Sequence, residues 1–185
     1  MTLPDRYTRT AILFHWVIAA LIITNVCFIL TAENFGETNI RFMYDTHKSI
    51  GITVFGLVIL RLLWRMTHRP PALPEDYRMW ERKASKAAHW ALYFIMFFMP
   101  ISGWLHDSAW EAAAEINLNY FGLFELPRLS WIMDMEPVAK KALHNVLREA
   151  HEIGGLALYA LVFLHIGGAL KHQFIDKHRE LQRML

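Results

Sequence analysis

The sequence predicts an all-α integral membrane protein, a single four-helix bundle over residues 1–185 with both termini cytoplasmic. Three observations carry that expectation. Of 185 residues, 55% are hydrophobic and 14% aromatic, and mean hydropathy is +0.22, too oily for an ordinary soluble domain. Four stretches, Ala11 to Thr31, Ile50 to Trp64, Ala87 to Leu105 and Ile153 to Leu170, reach or approach the ~20 apolar residues that cross a bilayer as helix. Lys and Arg crowd the amino-terminal stretch, the second connection and the tail, and are sparse in the first connection, which by the positive-inside rule places both ends in the cytoplasm.

The first helix, about 11–31, ends in Leu-Thr-Ala but reads as retained, because its apolar run is long for a signal peptide and Leu30 is not small. The lone Cys27 inside it can form no intrachain disulfide. The second helix, about 47–66, carries Arg61 and spans only with help from its flanks. Arg-Pro-Pro-Ala-Leu-Pro at 69–74 then stops it, since proline removes a backbone donor. The third, about 86–106, contains Pro100, which membrane helices tolerate as a bend. An outer lid follows over 107–147, with Trp110, Tyr120, Phe121, Phe124 and Trp131 among six acidic residues. The fourth helix spans at about 148–171, and Pro137 after Glu136 suits an earlier start outside the membrane. The formal net charge of +2 records topology and points to no nucleic-acid partner.

The fourth span is bracketed by His151 and His165. Fourteen residues turn within ~40° of four full turns, so the two share a face about 21 Å apart. Ionisable groups at such depth are functional or paired; an interhelical hydrogen bond is the plain alternative. Depth sorts three more histidines, putting His47 with His151 at the outer level and His15 and His89 with His165 at the inner one. Two opposed imidazoles at one level are what six-coordinate haem iron requires. A closed zinc site wants four ligands, and neither level adds a Cys or carboxylate at suitable spacing.

A haem also needs room beside its ligand. One turn beyond His15, His47, His151 and His165 stand Ala19, Gly51, Gly155 and Ala169, whereas Tyr93 follows His89 and would obstruct. The inner haem is therefore expected on His15 and His165, the outer on His47 and His151, although small residues also serve tight helix packing. Arg61, fourteen residues after His47, faces the bundle at the inner level, where haem propionates are its natural partners. Snorkelling to the interface is the alternative.

These residues resemble the bacterial cytochrome b561 family of small dihaem membrane proteins. The resemblance covers nearly the whole chain through His15-Trp16, His47, Arg61, His89, His151 and His165, with Phe121-Gly122-Leu123-Phe124 and Pro127 similar to the family's outer loop. It implies a multi-pass protein of the bacterial inner membrane, two haem b groups on the four ligands named, and electron transfer to ubiquinone. It further implies a superoxide oxidase that takes electrons from superoxide at the outer face, and it places His89 in the quinone site.

A positive patch would draw that anion, and Lys48, Lys140, Lys141 and Arg148 are its candidates, Lys48 and Arg148 foremost. The six acids of the lid point instead toward a docking surface for a protein donor, which would make the chain an electron-transfer module of a dehydrogenase or cytochrome. A bundle whose histidines bind no haem is the third alternative. His144 and His172 are expected at solvated surface, and His68, His106 and His178 at loops or termini.

Overall fold

A computed structural model describes residues 6–72, 74 and 77–185. Leu73, within the expected proline-rich stop, lies outside them. Five helices and one short hairpin account for the architecture: α1 (Arg9–Thr31), α2 (Glu37–Thr67), α3 (Met79–Ser108), β1 (Asn119–Tyr120), β2 (Phe124–Glu125), α4 (Ser130–Met133) and α5 (Pro137–Leu170). Four helices are long and apolar enough to cross a membrane, the last running on as a π-helical turn to Ile175.

Local chemistry sets where each helix starts and stops. Thr8 caps α1, its Oγ1 accepting from Ala11 N at 3.2 Å and from Trp64 Nε1 at 2.9 Å. Gly36, at φ +72°, takes the left-handed backbone from which α2 departs. Glu81 accepts from Arg78 N at 3.1 Å to close the first turn of α3, which continues unbroken through Pro100. Pro137 opens α5, and the Glu136 carboxylate accepts from Ala139 N at 3.0 Å. Thus α2 begins ten residues before His47 and α5 eleven before Arg148, so both helices project past the apolar stretches that mark them.

Neighbouring helices pack in the order α1, α2, α3, α5. Ile18, Ile50, Val54, Val58, Tyr93 and Met96 form a buried core among α1, α2 and α3. The α3–α5 contact depends on Gly154: a Cβ there would lie 2.7 Å from Phe98 Cε1 and 2.8 Å from Met99 Sδ. The start of α1 and the last residues of the chain meet at one end of the bundle, where Trp16 Nε1 donates to Met184 O and Arg6 Nη2 to Leu185 O, each at 2.6 Å. That is the terminal end. The hairpin end, opposite, is closed by residues 109–136.

Candidate functional site

The bundle carries histidines at both ends. At the hairpin end, His47 on α2 faces His151 on α5, with ring centroids 6.3 Å apart and planes at 84°. Ser102, buried on α3, donates its hydroxyl to Met99 O at 3.1 Å. Its oxygen is then left to accept from His151 Nδ1 at 2.9 Å. A carbonyl can only accept, so the long 3.5 Å contact between His47 Nδ1 and Asn25 O places a proton on that nitrogen too. Both rings therefore keep their Nε2 lone pairs. α3 comes so close here that a Cβ on Gly103 would lie 3.2 Å from His151 Cε1.

At the terminal end, His15 on α1 faces His165 on α5 at 6.1 Å and 63°. His89 on α3 stands 5.5 Å from the same His165 ring, so the three expected inner histidines do lie together. Arg61 Nη2 is 3.3 Å from His15 Nδ1. The guanidinium only donates, hence this nitrogen is the acceptor. Arg61 and Arg65 each also lie 5.6 Å from the Tyr93 ring centroid. They line a shallow cleft with Tyr7, Trp64, His68 and Arg69.

The glycines beside the histidines are not tightly packed. A Cβ at Gly51 would meet only Asn25 Nδ2 at 4.0 Å, and one at Gly155 only Tyr159 Oη at 3.9 Å and Met99 Cε at 4.0 Å. Ala19 and Ala169 are half-buried on the faces that carry His15 and His165.

The expected positive patch is largely matched by acids. Lys48 Nζ lies 2.7 Å from Asp107 Oδ1, and Arg128 Nε takes Asp107 Oδ2 at 2.7 Å. Two cations share one buried carboxylate, so the triad keeps one net positive charge. Arg148 pairs with Glu152 at 3.4 Å and Lys141 with Glu111 at 3.0 Å. That hydrogen bond from Lys141 holds Glu111 below the usual carboxylate range.

Of the outlying histidines, His106 lies at a helix terminus as expected, in the last turn of α3, whereas His144 and His172 are not at solvated surface: His144 is half-buried, stacked on His106 at 4.3 Å. His106 Nε2 is buried without a hydrogen-bond partner among the described residues. His172 is stacked at 4.3 Å on Tyr77, and its Nδ1 lies 2.7 Å from Asp176 Oδ2. Helix ends that extend past the membrane give these residues partners that a solvated surface would not. Glu81, His172 and Asp176 form the one three-ligand cluster among the described residues. It already holds the Lys171 ammonium, 2.7 Å from both acids.

Ser102 and Gly103 were not among the expected site residues. Both act on a histidine of another helix, and no spacing along α3 marks them.

Comparison with known proteins agrees with this architecture. Residues 6–185 match the family described as prokaryotic cytochrome b561. The chain is 30% identical over 185 residues to cytochrome b561 homolog 2 of Escherichia coli, covering 98% of this chain and 92% of that one. It is 24% identical over 183 residues to cytochrome b561 homolog 1 of the same organism, covering 98% and 97%. A probable superoxide oxidase CybB of Yersinia pestis is 26% identical over 185 residues, covering 97% and 96%. With four membrane-length helices and a match over almost its full length, the chain belongs to the prokaryotic cytochrome b561 family of multi-pass membrane electron-transport proteins.

Proposed function

We propose that this cytochrome is a superoxide:ubiquinone oxidoreductase of the bacterial inner membrane, with two haem b groups, one at each end of the bundle. The carrying observation is the facing of His47 with His151 and of His15 with His165 at 6.3 and 6.1 Å. A metal takes an imidazole nitrogen at about 2.0–2.1 Å, so two imidazoles opposed across one iron have centroids about 6.4 Å apart. Both pairs suit that spacing, while the 5.5 Å between His89 and His165 is short for it. Haem b would supply one-electron exchange at each end.

The chain's own residues do the rest. His47 and His151, steadied through Nδ1, hold the iron of the hairpin-end group; His15 and His165 hold the other. Gly51, Gly155, Ala19 and Ala169 leave the macrocycles their clearance. Arg61 offers donors to a propionate, and His106 Nε2, buried without a partner among the described residues, is the polar atom left for one at the hairpin end. His89 is then free for the quinone headgroup. Lys48 and Arg148 remain the cations nearest the anion's approach, Lys48 within a triad of net positive charge. In balance, two superoxide anions lose one electron each to become dioxygen, and ubiquinone gains two electrons and two protons to become ubiquinol.

The orientation, with termini cytoplasmic and the hairpin end outside, rests on the Lys and Arg distribution. A second reading, an electron-transfer module fed by a partner dehydrogenase or cytochrome, is favoured by the acids that already engage Lys48, Lys141 and Arg148.

Stopped-flow absorbance on detergent-purified protein separates the two. Two haems per chain, reduced on mixing with superoxide and reoxidised by excess ubiquinone, are expected. Two haems indifferent to superoxide would overturn the oxidase reading in favour of a protein donor.

A further inference from the structure

The segment between α3 and α5 carries a feature that the redox reading leaves unused. β1 and β2 pair antiparallel, Asn119 with Glu125 and Tyr120 with Phe124. Their turn is tight: Leu123 N donates to Tyr120 O at 2.9 Å, with Phe121 at φ 48° and Gly122 at φ 72°. Left-handed backbone suits glycine and strains a bulky residue. Phe121 is held there by α2, because its amide donates to Ser49 Oγ at 2.9 Å. Strain maintained this way presents side chains outward: Phe121 is 49% exposed, Leu123 76% and Phe124 55%.

Depth decides what these side chains meet. Trp64 bonds the α1 cap at Thr8 beside Arg65, a level at which aromatic residues mark the membrane boundary. Ser49 is fifteen residues from Trp64, hence about 22 Å along α2. The hydrocarbon layer is ~30 Å thick. Ser49 therefore lies inside the far boundary, and Thr53, whose Oγ1 is 2.9 Å from Tyr120 Oη, lies deeper still. Backbone at that depth must have its polar groups satisfied, and the base of the hairpin is tied in this way. Ser49 Oγ takes the Phe121 amide, its single proton facing Asp45 O at 2.8 Å and, at longer range, Asn119 O at 3.2 Å, and Leu126 N donates to Leu118 O at 2.8 Å. The one charge of the hairpin, Glu125, is held by Asn117 Nδ2 at 3.1 Å at the base, away from the tip.

We propose that the Phe121-Gly122-Leu123-Phe124 tip is a membrane wedge, inserted into the apolar layer of the leaflet at the hairpin end. Its exposed side chains continue the lipid-facing surface of α2, where Ile59, Leu60 and Leu63 are likewise exposed. The wedge keeps the lid seated over the His47–His151 pair by anchoring it in lipid as well as on α2.

Nitroxide accessibility in phosphatidylcholine–phosphatidylglycerol liposomes tests this on the full chain. Cys27, itself exposed, is first replaced (Cys27→Ser), and Leu123→Cys and Phe124→Cys are each labelled. Ile23→Cys, 57% exposed in the middle of α1, is the lipid reference; Glu115→Cys, exposed in the lid, is the aqueous one. Stronger relaxation by oxygen than by a soluble nickel chelate at both tip positions, as at Ile23→Cys, is expected. The reverse ratio, as at Glu115→Cys, overturns the wedge. So does protection from both reagents, which would mean a protein surface covers the tip.

Discussion

At the hairpin end, both histidines of the facing pair turn Nδ1 to oxygen acceptors, Ser102 Oγ for His151 and Asn25 O for His47. At the terminal end, His15 Nδ1 accepts from the Arg61 guanidinium instead, which puts the ring proton on Nε2. The first pair is set for a metal at Nε2 as it stands. His15 becomes so only when Arg61 turns its donors from the ring nitrogen to an anion, and a propionate is the anion that haem would bring. The contrast teaches that one end is preorganised by packing and the other is coupled to charge. It also places the third histidine, His89, at the end where an arginine and a tyrosine already make the environment polar.

The largest effect should come from breaking the two ends separately. His151→Ala is expected to lower haem from two per chain to one and to spare the terminal-end group; His165→Ala is expected to do the converse. Pyridine haemochrome stoichiometry on purified protein reads this directly. Loss of both groups from either substitution would make the ends one folding unit and dissolve the comparison.

The next effect is on the closure of the hairpin end. Asp107 is buried between Lys48 and Arg128, and the Arg128 side chain is 6% exposed. Arg128 Nη1 also donates to Ala113 O and Ile116 O, each at 2.6 Å. Asp107→Ala leaves two cations without their shared anion, and removing one partner of a buried pair costs about 3–5 kcal/mol. Thermal unfolding in detergent should show that loss. Lys141→Ala, which breaks an exposed pair with Glu111, should shift the midpoint little.

What the sequence made legible follows from what spacing can carry. Composition and apolar run length suffice for four membrane helices, and a separation of fourteen residues tells that His151 and His165 share a face at opposite depths. Pro137 after Glu136 marked the start of α5, whereas the start of α2 was not legible: apolar counting stops where lipid stops, and Gly36 decides where that helix begins. Contacts between helices left no trace in either helix alone. Nothing about Lys48 in α2 announces Asp107 in α3, and nothing about Ser102 announces His151. The hairpin strands have two residues each, too short for any alternation to mark.

Three substitutions sharpen the hairpin-end half of the comparison. Ser102→Ala removes the acceptor that orients His151, and loss of such an outer-shell partner weakens metal-site affinity by about 10–100-fold. Haem titration of the depleted protein should show that drop at the hairpin end alone. Gly154→Ala and Gly155→Ala then separate packing from clearance. The first pushes against Phe98 and Met99, and overpacking of this kind costs about 1–3 kcal/mol. The second meets nothing closer than 3.9 Å, so it should leave thermal stability unchanged.

The smallest effect belongs to the terminal end and depends on pH. Asp176 accepts from Lys171 Nζ and from His172 Nδ1, each at 2.7 Å, in the turn that closes the last helix. The hydrogen bond from Lys171, more than that from His172, holds its carboxyl below the usual aspartate range. A carboxyl depressed in the folded state contributes stability that is present in full above its unfolded pKa and is lost as pH falls through the folded one. The turn should therefore keep its contacts from neutral pH down through the ordinary carboxylate range and loosen only below it. Amide hydrogen exchange over residues 171–178 in detergent, followed from pH 7 downward after correction for the intrinsic rate, should stay flat and then rise. In Asp176→Asn the protection should be lower at neutral pH, and its change with acid should shrink to what the Glu81–Lys171 pair still contributes. The Ser102–His151 contact involves no carboxylate, so amide protection at Ser102 is expected to show no matching step, and a step there would tie that contact to the Asp107 triad with Lys48 and Arg128 at the same end.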